Sequence, residues 1–204
     1  TDSLVGNVKK LKLNDNFNKF STSFTEEKVS EMWVTNTQVN YCAKAFKAVP
    51  STHEDAAALH VLSVYLRNKY LHTAVREKGG AYGGGASYNP ENGTFTMMSY
   101  RDPRISGTLK DYDAALDWMK KANHNEQDVQ ESIFGIISGI DAPDTPMKGA
   151  SISFGARLHG RTDEARRDYR ARILKVTAAD IVRVASVLMP HNVDVFHVAQ
   201  HGSH

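Results

Sequence analysis

The residues of this sequence best suited to chemistry are an arginine and a tyrosine separated by glycines, Arg76 and Tyr82. A guanidinium stays charged at every working pH, and a phenol donates one directed hydrogen bond. Glycine lets the backbone adopt positive φ and lets another chain approach closely. A fixed cation and a phenolic donor beside a bare backbone suit the binding of a carbonyl group or an oxyanion.

A helix, a glycine turn and a strand are predicted to position these two residues. The helical pattern continues to about Lys78, and Gly79 is a natural stop for a helix. A strand pattern follows over Ala81–Tyr88, so Arg76 lies in the last helical turn and Tyr82 at the first strand positions. A sharp Gly-Gly turn would bring both side chains to one edge of the sheet.

The same residues could also have purely structural roles. The glycines could serve a bulged strand that packs closely on a neighbour. Arg76 could be a charge favoured by the helix dipole, and Tyr82 could be a core aromatic. A phosphate loop is excluded, because that site needs the order strand, glycines, helix, whereas here a helix precedes the glycines.

The remaining patterns predict an α+β fold, an antiparallel sheet with helices packed on one face. One strand is expected within Glu31–Val49, and a hairpin follows from a second strand at Thr94–Tyr100. Residues 1–30 are interpreted as a lead-in segment that is possibly truncated, and residues 31–204 as one domain. Helix N-caps are predicted at Ser51, Thr108, Asn125 and Thr177, and a final strand at Asn192–Ala199.

Composition limits the classes of function. The formal net charge of +2 and the lack of a Lys/Arg run argue against a nucleic-acid partner. No apolar stretch is long enough to span a membrane, and no signal-peptide pattern opens the chain. We expect a soluble protein, in the cytoplasm or an organelle matrix rather than secreted, with no specific compartment indicated. Because the chain begins at Thr1, it is interpreted as a processed product or a piece of something longer.

Metal and nucleophile motifs are absent from the sequence. His53-Glu54 begins like the zinc motif H-E-x-x-H, but Ala57 occupies the second ligand position. The inverted motif H-x-x-E-H and the serine motif G-x-S-x-G do not occur. Cys42, the single cysteine, excludes an internal disulfide and is expected to be a buried, inert thiol. No metal or other cofactor is therefore predicted in this chain.

The run Arg76-Glu-Lys-Gly-Gly-Ala-Tyr82-Gly resembles a signature in the C-terminal half of the pitrilysin–insulinase family of inverted-motif zinc peptidases, most closely its presequence-protease branch. Further matches cover roughly Glu31 to the C-terminus. They are Ser99-Tyr-Arg-Asp-Pro103, Gly139-Ile-Asp-Ala-Pro143, Pro146-x-Lys148-Gly149, and Leu158-x-Gly160-x-Thr162-Asp-Glu-x-Arg166 with Arg170 and Ile173-Leu174.

The resemblance implies the last of four related α/β domains of the LuxS/MPP metallopeptidase type. In that family the N-terminal half holds zinc, and an arginine and a tyrosine from this domain reach the substrate across a chamber that opens and closes. Carried over, Arg76 and Tyr82 are the predicted catalytic residues. Substrate binding is predicted at Gly79, Gly80, Ala81 and Gly83. The implied partners are the N-terminal catalytic half of the same enzyme and peptide substrates, and the chain alone should hydrolyse nothing.

Two alternatives of other classes remain open. The first is a non-catalytic partner subunit or scaffold that only holds peptides. The second is a stand-alone α+β domain that binds a small ligand and has no link to peptidases.

Overall fold

The computed structural model describes residues 29–121, 123–158, 161–188 and, by their backbone alone, 193–200. The predicted lead-in therefore lies almost wholly outside the described residues. Within these ranges no helix combines the length and the hydropathy needed to cross a bilayer.

The described elements form an α+β domain, as predicted. The sheet has five strands in the order β1-β5-β2-β4-β3, and all its pairings are antiparallel except β1 with β5. The elements in chain order are β1 (Ser30–Thr35), β2 (Asn40–Lys47), α1 (Ala56–Leu66), a π-helical segment (Arg67–Lys78), β3 (Gly83–Asn89), β4 (Thr94–Asp102), α2 (Ser106–Lys121), α3 (Glu126–Ile140), α4 (Pro146–Leu158), α5 (Asp163–Ile173), α6 (Ala178–Leu188) and β5 (Val193–Gln200).

The helices cover one face of the sheet. Alternate residues of the strands point toward them and are buried, including Cys42, Phe95 and Met97. The residues between these, such as Met98 and Tyr100, face the other way and are exposed. Because strand side chains alternate between faces, β2, β3 and β4 present one buried face and one open face. The open face of these strands is called the open sheet face below.

The strand predicted within Glu31–Val49 is two strands, so that prediction was wrong. A turn at residues 36–39 separates β1 from β2, and the Thr37 hydroxyl closes it by donating to the Val39 carbonyl at 2.9 Å. The two strands then pair with opposite sides of β5, and β1 does so in parallel. Alternation could not reveal the break, because Thr35 and Thr37 continue the period of two through the turn.

Two predicted helix starts were also wrong. α1 begins at Ala56 rather than at Ser51, because the backbone of Ser51 is engaged elsewhere: its N–H donates to Pro90 O at 2.8 Å, and its carbonyl accepts from Arg172 at 2.8 Å. α2 begins at Ser106, so that Thr108 lies inside the helix. The caps predicted at Asn125 and Thr177 are confirmed, since both side chains accept backbone N–H groups from the first turns of α3 and α6.

Candidate functional site

Arg76 lies near the end of the π-helical segment, with its side chain exposed. Its Nη1 lies 3.3 Å from Nε2 of His72, one turn earlier. No acidic side chain of the described residues pairs with this guanidinium, and the nearby Glu77 instead contacts His72 at 3.3 Å. The Arg76 cation thus lies at the surface with no ion-pair partner in the part of the chain that the structure describes.

Two backbone hydrogen bonds close the helical end after Arg76. Gly80 N donates to Arg76 O at 3.0 Å, and Ala81 N donates to Val75 O at 3.1 Å. This is the pattern of a Schellman motif widened by one residue, as suits wide π-helical turns. Gly80 has φ of +80°, a conformation that glycine adopts at no cost. The turn fixes the path of the chain from Arg76 to the sheet.

A guanidinium lies directly beneath this turn. A side chain at the buried Gly79 would overlap Arg104 Nη2 and Val75 O. Arg104 Nη2 donates to Ala74 O at 3.4 Å and to Asp111 Oδ2 at 2.9 Å, so it joins the π-helical segment to α2. We call Arg104 with its two partners the arginine clamp.

Asp102 fixes the backbone of Arg104 and so supports the arginine clamp. This fully buried carboxylate accepts the backbone N–H of Arg104 at 2.8 Å and the hydroxyl of Thr108 at 2.6 Å. Asn40 donates from its side chain to the Asp102 carbonyl at 3.0 Å. Both Asp102 side-chain oxygens therefore have a partner, which favours a single arrangement at this point, whereas the buried Nε of Arg104 makes no hydrogen bond within the described residues. From the sequence, Asp102 is noted only within the matched run Ser99-Tyr-Arg-Asp-Pro103, without a role, and Arg104 is not noted, because the residue types alone do not show which distant groups they contact.

Tyr82 precedes the strand rather than beginning it, because β3 starts at Gly83. Its backbone N–H donates to Arg101 O at 3.3 Å, and its side chain is 68% exposed. The alternative that Tyr82 is a core aromatic is therefore excluded. Its ring meets that of Tyr100 edge to face at 5.9 Å, and the Arg101 guanidinium lies 6.0 Å from its centroid.

Arg101 itself has φ of +51°, which is uncommon for a residue with a side chain. It lies where the pairing of β2 with β4 shifts register between Asn40 and Cys42. A bulge of this kind bends a strand and redirects side chains at a sheet edge. Here the redirected backbone supplies the carbonyl that holds Tyr82 and places the Arg101 guanidinium near its ring.

The glycines have two different roles, close packing inside the domain and exposure of the backbone at its surface. Gly84 permits close packing of helix and strand, because a Cβ there would lie 2.6 Å from Val75 Cγ1. The purely structural role considered for the glycines is thus correct for this position. Of the four residues predicted to bind substrate, Gly79 and Ala81 are buried, whereas Gly80 is exposed and Gly83 half-buried. Only the last two offer accessible backbone.

The described residues do not form a metal site. No three His, Cys, Asp or Glu side chains among them lie close enough together to hold an ion. His53, which begins the incomplete match to the zinc motif H-E-x-x-H, lies in a turn before α1. Burial raises the pKa of the Cys42 thiol, which fits the inert thiol expected from the sequence.

Comparison with known sequences gives a consistent picture. The family model of the PreP C-terminal domain matches residues 30–199. A mitochondrial presequence protease of Yarrowia lipolytica is 44% identical over 148 residues, which cover 72% of this chain and 15% of that protein. The corresponding protein of Xenopus tropicalis is 38% identical over 148 residues, covering 72% of this chain and 14% of that protein. The matched part of the chain thus spans about 15% of the length of these relatives.

Solved structures share the fold at low identity. A conserved protein of Enterococcus faecalis V583 superposes with a TM-score of 0.72 at 17% identity, covering 90% of this chain and 44% of that chain. The inactive peptidase domain of a zinc protease from Bordetella parapertussis gives a TM-score of 0.69 at 13% identity, covering 83% of this chain and 95% of that chain. These likenesses establish the fold.

Proposed function

The chain belongs to the PreP C-terminal domain family, and from that membership we propose that it binds substrate and stabilises the transition state within a zinc-dependent oligopeptidase. The zinc would be held by an N-terminal half of the same polypeptide, and the substrates would be peptides. The relatives are named as mitochondrial proteins, which supports the organelle matrix among the two locations expected from the sequence.

One observation carries this proposal: a guanidinium and a phenol lie at the surface, and most of their donors have no partner among the described residues apart from the contact of Arg76 Nη1 with His72 Nε2 at 3.3 Å. Within the described part of the chain, the Tyr82 hydroxyl makes no hydrogen bond, and Arg76 has no acidic partner. Both are attached to backbone that is closely fixed by the widened turn and by the arginine clamp. Exposed donors on a fixed backbone are suited to a ligand that arrives from outside the domain.

The chemistry follows from the two groups. When water adds to a peptide carbonyl, negative charge develops on the carbonyl oxygen. The Arg76 guanidinium would stabilise that charge, and the Tyr82 phenol would donate a hydrogen bond to it. Because the backbone that carries both donors is held before the reaction, less reorganisation is needed as the charge forms. Losing one such donor costs about 3–4 kcal/mol, or on the order of a hundred- to a thousandfold in rate.

Helix α4 supports the existence of a partner half. Its Phe154 and Leu158 side chains are 66% and 69% exposed, and Met147 is exposed as well. Ala156 is the one residue of α4 that is buried in this domain. A helix of this length is only marginally stable in water without packing. An exposed apolar helix in a family of much longer proteins is expected to pack on the rest of the polypeptide.

The test is Tyr82→Phe in the full-length protein that contains this chain. We expect kcat on a peptide substrate to fall by about a hundred- to a thousandfold, while peptide affinity changes little. Tyr70→Phe is the matched control, because it removes a phenol whose ring packs on Trp118 inside the domain. A wild-type kcat for Tyr82→Phe would show that Tyr82 has only a packing role and would overturn the proposal.

A further inference from the structure

Three tyrosine rings form a continuous row on the open sheet face. Tyr41 of β2 meets Tyr100 of β4 edge to face, with ring centroids 5.4 Å apart. Tyr100 in turn meets Tyr82 at 5.9 Å, just before β3. The tyrosine row therefore runs across three neighbouring strands and ends at Tyr82.

The tyrosine row is accessible although its rings are large. Tyr100 is 50% exposed and its neighbour Met98 is 45% exposed, because no described helix covers this face. Gly83 pairs with Tyr100 across β3 and β4, and a Cβ at Gly83 would lie 4.0 Å from Tyr100 Cβ. The missing side chain leaves the surface of the Tyr100 ring uncovered. Aromatic surface clustered in this way is typical of a binding site rather than of an ordinary exposed surface.

The guanidinium groups near the Tyr82 end of the tyrosine row favour some side chains as ligands over others. The Arg101 guanidinium lies 6.0 Å from the Tyr82 ring centroid, and Arg76, which has no acidic partner among the described residues, precedes the glycine turn that leads to Tyr82. The Arg101 guanidinium beside the Tyr82 ring repels a Lys or Arg side chain that approaches this end of the row. The rings themselves favour a large apolar partner, with aromatic edge-to-face contacts adding to the burial of apolar surface.

We propose that the tyrosine row binds an aromatic or large aliphatic side chain of the peptide, next to the bond that is cleaved beside Tyr82. This inference rests on the proposed function, because it takes Tyr82 to mark the position of that bond. Tyr100 is then a residue that determines specificity, at the centre of the row. Peptides with Phe or Leu at this position are preferred over those with Gly, and those with Lys or Arg are disfavoured.

The experiment compares peptides that differ only at the residues flanking the cleaved bond, with Phe, Gly or Lys at each position in turn. They are assayed with the full-length protein that contains this chain. In wild type, kcat/KM for the Phe peptide should exceed that for the Gly peptide by about tenfold or more. Tyr100→Ala should remove most of this preference by raising KM for the Phe peptide.

Conservative variants separate ring contact from folding. Tyr100→Phe keeps the ring and should keep the preference, whereas Tyr100→Thr keeps the β-propensity without the ring and should lose it. Thr96→Ala, on the same face of β4 but outside the row, is the matched control and should keep the preference. A Phe preference that survives in both Tyr100→Ala and Tyr100→Thr would overturn the proposal.

The outcomes separate this inference from the proposed function. If Tyr82→Phe lowers kcat on every peptide while Tyr100→Ala leaves selectivity unchanged, the tyrosine row is refuted and the proposed function stands. If Tyr82→Phe leaves kcat unchanged, the proposed function fails. The proposed binding by the tyrosine row is then tested independently by the equilibrium affinities of the Phe and Gly peptides. These are measured by fluorescence anisotropy, with turnover blocked by a chelator. Equal affinities in wild type would refute it.

Discussion

Gly79→Ala should destabilise this domain far more than an alanine usually does. The added methyl group would occupy the space of Arg104 Nη2 and would also press on Val75 O. The guanidinium must then leave the arginine clamp and give up its bonds to Ala74 O at 3.4 Å and to Asp111 at 2.9 Å. The perturbation thus acts on a contact between two elements, although the substitution is in a turn.

The size of the effect can be worked out from these contacts. Arg104 and Asp111 are 33% and 26% exposed, so solvent screening limits the loss of their ion pair to about 1 kcal/mol. Displacing the backbone at Val75 adds about 1–3 kcal/mol, as overpacking usually does. The sum is about 2–4 kcal/mol, and for a domain of this size it corresponds to a fall in Tm of roughly 5–15 °C.

Thermal unfolding followed by circular dichroism measures this change. Gly135→Ala is the matched control, since no atom lies within 4 Å of a Cβ at that exposed position in α3. It should raise stability by about 0.5–1 kcal/mol, because alanine is the better helix former. The two substitutions are chemically identical and should shift Tm in opposite directions.

A double-mutant cycle gives the result that would refute the reasoning. In an Arg104→Ala background the guanidinium is already gone, so Gly79→Ala should cost less than in wild type. An equal cost in both backgrounds would mean that Arg104 is not what the methyl group displaces. A wild-type Tm for Gly79→Ala alone would contradict the close packing itself.

Three further predictions concern metal, charge and pH. Adding zinc to this chain alone should produce no peptide hydrolysis, and zinc-dependent cleavage by it would contradict the proposed division of roles. In the full-length protein, Arg76→Lys should lower kcat by about tenfold or more, because an ammonium cannot reproduce the planar fork; Arg167→Lys, on an exposed part of α5, should not. Burial lowers the pKa of His60, whose Nδ1 lies 3.1 Å from the Tyr169 hydroxyl. Below the ordinary histidine pKa of about 6.5, the unfolded chain therefore binds a proton at His60 more readily than the folded chain does. The free energy of unfolding, measured by urea titration, should fall from pH 7 to pH 5. It should fall less in His60→Gln.

Sequence patterns were sufficient where local physics decides the structure. The hairpin formed by β3 and β4, the helix end before Gly79 and the caps at Asn125 and Thr177 depend on neighbours in the chain, and all were predicted. The start of α1 was not, because Ser51 is held by Pro90 and Arg172, which are distant in sequence. Tertiary hydrogen bonds outweighed a local capping signal there.

For the candidate site too, some features could be predicted from local sequence and others could not. The exposure of Arg76 and Tyr82 agrees with expectations from their glycine-rich surroundings. The arginine clamp and the tyrosine row could not be foreseen, because each brings together groups from three separate segments of the chain. Tyr41 and Tyr100 approach each other only through the register of β2 and β4. No spacing along the chain encodes that register.

The wide turns of the segment Arg67–Lys78 make its length as important as its composition. One residue added or removed rotates everything after it by about 100° around the axis of an α-helix, and by somewhat less in wider π-helical turns. Such a change upstream of Arg76 would turn the guanidinium away from the glycine turn while leaving every neighbouring side chain chemically intact. Related sequences should therefore vary in residue type along this stretch but show no insertions or deletions within it.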